Sequence, residues 1–521
     1  MVIPVYIFLM VPVIGAGVVF LGKPRLIAAV CTVTTVCGLL LSIVSGITGE
    51  YTINIWMNPV PMTVFMDGVS TLIGVLTSFL FLMAVIYSSY IKNKKYYALL
   101  LLDLSFLLCV VFSSQLLIFY VFLEMSTIVT YFLIIYKHTP EAVDAGFKFV
   151  IMNIGGAVFI LMGVLLYTIS PSVSPSVWPL LFITGCLIKC GSFPVHIWLA
   201  DAHPAAPSPV SALLSGVMVK IGVYGIFRFA PLFQGDMSWV IVPAVASMVI
   251  GVFLALAQTD IKRILAYHTV SQIGFILLGI GLYTEQSIAG GILHVVNHGL
   301  FKGLLFLSMG CVIYATGERN LHKLGGLKFM RVTAFACLVG SLSISGIPPF
   351  NGFISKNILF HGLPSEILKI LFIVACGGTI ASFIKLFRHT FLGEQSGITV
   401  KEVPFSMKVP LMILSSLCVI LGIFPGIILS QLQYTYLWDI TTFRECIFTI
   451  GLGVLMYLGV LKTGLVYNSP DFKISVDRLF CGMGRFVQKV SHALYSWLTQ
   501  DINYYVACMV LVLLLFWFWL T

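Results

Sequence analysis

The sequence predicts an all-α polytopic membrane protein: about sixteen transmembrane helices, two inverted repeats that each contain a broken helix, and one amphipathic surface helix near the C-terminus. Three observations carry this. The 521 residues are 59% hydrophobic and only 9% charged, against roughly 25% charged in soluble domains, and mean hydropathy is +1.06. Apolar runs of about 20 residues, the length that spans a bilayer, recur from end to end. The roughly ten-residue alternating strands of a membrane β-barrel are not among them. The third observation is that, of the 29 lysines and arginines, those outside the spans fall almost entirely on one side of the resulting topology.

In chain order the spans are expected at 2–22, 26–48, 66–90, 97–113, 115–136, 147–169, 178–199, 208–230, 238–257, 264–283, 287–316, 332–362, 366–391, 408–432, 443–462 and 503–520. The first, VIPVYIFLMVPVIGAGVVFLG, has no basic residue before it. A cleaved leader needs a positive start and a short apolar core, so this run is taken as a span. One side of the membrane then collects Lys23, Arg25, Lys92, Lys94, Lys95, Lys137, Lys262 and Arg263, followed by Arg319, Lys323, Lys328, Arg331, Arg388, Lys401, Lys408 and the residues from Lys462 onward. The other side receives only Arg228, Lys369 and Arg444. The positive-inside rule makes the basic side cytoplasmic and puts both termini outside. It also accounts for the net charge of +10 without nucleic acid.

The stretch 476–498, VDRLFCGMGRFVQKVSHALYSWL, does not read as a span. Its apolar residues at 476, 479, 480, 483, 487, 490, 494 and 498 oppose Arg478, Arg485, Lys489 and His492. That pattern predicts a helix lying on the inner membrane surface or against a neighbouring subunit. The expected organisation is therefore N-terminal helices (1–96), a first repeat (97–230), a second repeat (238–391), C-terminal helices (392–465), and the surface helix with the last span (466–521).

Of the twelve cysteines, only Cys186 and Cys190 lie one helical turn apart. A metal or cluster site needs several converging thiolates, so the cysteines are taken as small apolar filler. No GxGxxG, Walker or ferredoxin-type motif occurs. No cofactor, metal or catalytic residue is expected, and any redox energy would come from partners.

The informative residues are the charges left inside spans, because a lysine at a helix centre costs about 2.5–3.5 kcal/mol to insert. Lys148 and Lys385 lie within about two turns of the inner boundary, where a long side chain can snorkel; they are secondary candidates. Lys189, Lys220, and Glu124 in FYVFLEMSTIVTYFL lie near mid-span, where snorkelling fails. Asp103 also sits in a span, nearer the cytoplasmic end. In GGILHVVNHGLFKGLLFLSMG, His294, His298 and Lys302 recur every four residues and share one helix face. Two histidines could begin a zinc site, but no Glu or Cys is near to complete it and a lysine ends the row. Proton passage is the expected use.

Two spans are broken, in opposite directions across the membrane. In LIKCGSFPVHIW, Gly191 and Pro194 follow Lys189; in SISGIPPFNGFISKNILF, Gly346, Pro348, Pro349 and Gly352 precede Lys356. Proline removes a backbone donor, and unwound backbone at membrane depth persists only in protein or beside a polar cavity. Paired breaks in two halves mark an inverted-repeat transporter and its ion path. Burial lowers a lysine's proton affinity while a nearby carboxylate restores it. Glu124 is thus expected to set the charge of Lys189, with protons passing through Lys220 and the histidine row to Lys356, bridged by water.

The same residues carry a resemblance. GSFPVHIWLADAHPAAPSPVSALLSGVMVKIGVYGIFR, DIKRILAYHTVSQIGF, HVVNHGLFKGLLFLSMG and SGIPPFNGFISK resemble the antiporter-like subunits shared by respiratory complex I, energy-converting membrane hydrogenases and Mrp-type Na⁺/H⁺ antiporters, over about residues 60–400. The resemblance implies two inverted five-helix repeats, with the essential pair at Glu124 and Lys189. It places the following lysine at Lys220, the His/Lys row at His294, His298 and Lys302, and the end of the second broken helix at Lys356. It gives Asp260, Lys262 and Arg263 a structural loop role. Ala200 stands where the family usually has proline, and His268 where it usually has a small hydroxyl residue. The expected protein is a subunit of a redox-driven ion pump in a prokaryotic inner membrane, moving H⁺ and, as an open alternative, Na⁺. Its partners would be related antiporter-like subunits and a redox module. A free-standing antiporter and a purely structural membrane subunit stay open as alternatives.

Overall fold

A bilayer offers no hydrogen bonds to an exposed backbone, so long apolar runs must close their own bonds as helices. The structure, a computed structural model, follows that rule; it describes residues 3–53, 62–169, 176–233, 237–393, 400–436, 440–462 and 489. Two units divide the chain at Ser469 and Pro470. The expected surface helix at 476–498 and last span at 503–520 fall in the second unit and, Lys489 apart, lie outside the described residues.

In the first unit, α1 (Ile3–Val18) and α2 (Pro24–Val44) lead into a hairpin of β1 (Gly49–Ile53) and β2 (Met62–Met66). The strands pair antiparallel, Gly49 opposite Met66 and Ile53 opposite Met62. This hairpin corrects the all-helical expectation. Its residues, GEYTI and MTVFM, include the β-branched and aromatic types that suit a pleated surface. Then come α3 (Gly68–Tyr87), α4 (Lys94–Phe112), α5 (Leu116–Ile134), α6 (Pro140–Ile169), α7 (Val177–Lys189), α8 (Ile197–Ala205) and α9 (Ser208–Leu213). A π-helical turn, Leu214–Met218, joins α9 to α10 (Val219–Phe229). The rest is α11 (Ile241–Leu256), α12 (Ile261–Leu282), α13 (Glu285–Thr316), α14 (Arg331–Ser345), α15 (Asn351–His361), α16 (Glu366–Phe387), α17 (Phe405–Ile423), α18 (Gly426–Leu429) and α19 (Ile440–Lys462).

Among the described residues, twelve helices are long and apolar enough to cross a membrane. Two expected spans are absent from that group because each is divided. The run 178–199 becomes α7 and α8 and extends to Ala205; the run 332–362 becomes α14 and α15. At each division a glycine adopts a left-handed backbone, Gly191 at φ +67° and Gly346 at φ +71°. That conformation is open to glycine and costly to other residues.

Polar residues set the helix ends. Asp67 caps α3 in a reciprocal box with Ser70, its Oδ1 accepting from Ser70 N at 2.6 Å. The same carboxylate holds Arg228, in the last turn of α10, at 2.6 Å through Oδ2. Asp260 caps α12 by accepting from the amides of Lys262 and Arg263. The long helix α13 forms the core, packing on α3, α9, α12, α14, α15 and α17. Close helix pairs use small residues, as membrane packing favours: Gly156 on α6 faces Gly185 on α7, and Gly251 on α11 faces Ser271 on α12, each with no room for a side chain.

Candidate functional site

A buried ammonium needs acceptors, and the bundle supplies them in two ways. The first is a carboxylate. Glu124, on α5, lies 2.6 Å through Oε1 from Lys189 Nζ at the last residue of α7. The Lys189 side chain is 4% exposed and that of Glu124 21%, so the pair sits at the wall of the bundle with its acidic end reachable. Lys189 also donates to Thr127 Oγ1 at 2.8 Å. Thr127 stands one turn beyond Glu124, and its own hydroxyl donates to Leu123 O. Helix α7 ends at Lys189 because Gly191 turns the chain. Trp198, at the start of α8, ties the two halves together by donating from Nε1 to Ile188 O at 3.1 Å.

The second source is backbone carbonyls set free at helix ends and irregularities. Lys220 Nζ donates to Ser215 O at 2.8 Å and Gly216 O at 2.5 Å, both within the π turn just before it. Lys356 Nζ donates to Ile344 O at 2.7 Å, at the C-terminal end of α14, and lies 4.8 Å from the Phe275 ring centroid. Lys385 donates to Leu256 O and Gln258 O, at the end of α11. Lys262 donates to Ala206 O at 2.7 Å, just past α8, and to Ser211 Oγ. Lys302 reaches Leu265 O at 2.6 Å. All five lysines are buried. For Lys385 this corrects the snorkelling expectation, since its ammonium turns inward to cap a helix instead of outward to water.

The histidine row is only partly one device. His294 and His298 face each other as stacked rings 6.2 Å apart. His294 shares hydrogen bonds with Ser355 Oγ at 2.9 Å and Gln272 Oε1 at 3.1 Å, and Ser355 neighbours Lys356 on α15. His298 is fully buried, and neither of its ring nitrogens has a hydrogen-bond partner among the described residues. Lys302 shares their helix face, but its ammonium leaves the row for α12.

Lys148 is neither buried nor free: it lies 2.6 Å from Asp201 Oδ2, and Arg263 lies 2.9 Å from Asp201 Oδ1. Asp201 thereby links α6, α8 and α12. Asp103 is fully buried and accepts from Ser126 Oγ at 2.6 Å. Sequence reasoning missed Thr127, Gln272, Ser355, Asp201 and the π turn. Thr127 was findable, three residues from Glu124 and so on its face; Asp201 stood in the open, an acid two residues past the expected span 178–199 and within α8 of the structure. The others depend on which helices meet.

The family described as "NADH:quinone oxidoreductase/Mrp antiporter, TM" matches residues 113–384, just over half of the chain. Hydrogenase-4 component B of Escherichia coli (strain K12) is 36% identical over 357 residues, covering 58% of this chain and 53% of that protein. An Na(+)/H(+) antiporter subunit of Alkalihalophilus pseudofirmus is 34% identical over 428 residues, covering 70% of this chain and 53% of that protein. The chain thus spans about half the length of these curated relatives. Among solved structures, a chain of the membrane-bound sulfane sulfur reductase, an archaeal respiratory membrane complex, superposes with a TM-score of 0.82 over 98% of this chain and 99% of that one. At 22% identity that likeness is one of fold.

Proposed function

This chain belongs to the NADH:quinone oxidoreductase/Mrp antiporter transmembrane family, and from that premise we propose that it carries protons across the membrane as part of a larger ion-translocating complex. The observation that carries the reading is the Glu124–Lys189 pair, 2.6 Å apart between two helices of the bundle. Separated from Glu124, a desolvated Lys189 sheds its proton; paired, it keeps it. Released protons pass to Lys220 and across His298 and His294 to Lys356, with Lys302, Lys148 and Lys385 as side stations. Neither ring nitrogen of His298 has a hydrogen-bond partner among the described residues, which favours bridging water, since buried polar groups seldom go unsatisfied.

The proposed frame is sixteen spans with both termini outside, in a prokaryotic inner membrane, with inverted five-helix repeats at 97–230 and 238–391. Helices at 1–96 and 392–465 flank the repeats, and 466–521 forms the surface helix and last span. The names of the relatives, a hydrogenase component and an Na⁺/H⁺ antiporter subunit, support partners among other membrane subunits and a redox module, with H⁺ as cargo and Na⁺ as a second cation. The exposed apolar face of α6, which includes Phe147, Ile151, Ile154 and Val158, suits lipid or such a neighbour.

The test is flux through the complex reconstituted in vesicles. Glu124→Gln and Lys189→Ala should each lower proton flux by roughly 10²-fold or more, measured per assembled complex. Full flux in both variants would overturn the reading.

A further inference from the structure

Lys356 ends the proposed path, and a proton that reaches it needs an acceptor on the far side. Beside Lys356 lies a cavity of about 60 Å³, several times the roughly 10–15 Å³ that one water requires. Lys356 and Asn357 on α15, Cys376 on α16, and Glu445 and Thr449 on α19 give it polar walls. The cavity grades from dry to wet. Lys356 is 4% exposed, whereas Glu445 and His361, 3.6 Å apart through Oε2 and Nε2, have side chains 37% and 39% exposed.

We propose that Glu445 is the outer acceptor for the proton leaving Lys356, reached through water in this cavity and held in place by His361. The inference rests on the proposed function and extends it to a helix beyond the residues 113–384 that the family match covers. The Lys356 ammonium gives a proton to the water chain and becomes a neutral amine. The Glu445 carboxylate takes a proton from that chain and releases it to the outer solution. Lys356 is then recharged from the His294 side. Among the described residues, Glu445 is the one carboxylate lining the cavity. The titratable groups that share its walls are Lys356, Cys376 and Cys446, and His361 stands at its rim beside Glu445. The nearby Glu366 is 82% exposed and paired with Lys369 at 2.7 Å, and Arg444 is exposed next to Glu445. Asn357 accepts from Tyr436 Oη at 3.0 Å, which orders the wall without blocking it.

In the reconstituted complex, Glu445→Gln keeps the size of the side chain and its place beside His361. It should cut flux by roughly 10²-fold and flatten its dependence on outer pH, leaving the dependence on inner pH intact. Glu445→Asp should restore most of the flux. Thr449→Leu, which fills the cavity and leaves every charge in place, should slow flux comparably, and it decides the matter if Glu445→Gln fails to assemble. Normal flux with an unchanged outer-pH profile in either Glu445→Gln or Thr449→Leu overturns the inference. Loss of flux in Glu124→Gln in the same series would show that the parent reading survives; full flux in Glu124→Gln and Lys189→Ala would remove both.

Discussion

Six buried ammonium groups share one problem and two solutions, and among the described residues only Lys189 uses a carboxylate. That difference has a measurable consequence. Removing one member of a buried ion pair strands the other charge, at a cost of about 3–5 kcal/mol. Lys189→Met should therefore destabilise the detergent-solubilised complex strongly, while the double variant Lys189→Met/Glu124→Gln should recover most of the loss. Denaturant unfolding of the two variants side by side measures this. Equal losses would mean that Glu124 is already well hydrated. Lys220→Met, by contrast, strands no carboxylate, since Lys220 rests on Ser215 O and Gly216 O.

At the scale of elements, the breaks in α7–α8 and α14–α15 do two things. They end helices inside the bundle, and the second frees a carbonyl on which a lysine rests: Ile344 O holds Lys356. Each break depends on a left-handed glycine. Gly191→Ala should cost about 1–2 kcal/mol, read as a lowered Tm in detergent. Gly346→Ala should cost as much, and it should also slow flux, because the added methyl meets the Lys356 stem at Cδ. The glycines and prolines of both breaks were legible in the sequence. The π turn before Lys220 was not, since LSGVM carries no residue that demands a wider turn in the ladder; packing against α3 and α13 accompanies it.

Across the whole molecule, Asp201 ties α6, α8 and α12 through Lys148 and Arg263. The three side chains are 25%, 31% and 36% exposed, and such pairs contribute about 0–1 kcal/mol each. Asp201→Asn should therefore barely move the Tm of the isolated chain. It should raise amide hydrogen exchange in α8, where the aspartate holds two neighbours in register.

The sequence by itself determined the class of the molecule, the places where its helices break, and the charges that a membrane would not hold without purpose. Composition and local backbone chemistry decide those things, and both are written residue by residue. It also marked Glu124 as the acid for Lys189, and the two side chains meet. Tertiary structure decided the rest: which carbonyl each lysine caps, that Lys302 leaves the histidine row, that Lys385 turns inward, and that Glu445 on α19 meets the cavity of Lys356. A carbonyl freed at a helix end looks like any other in the chain. Only the packing of helices distant in sequence brings a particular ammonium within reach of it.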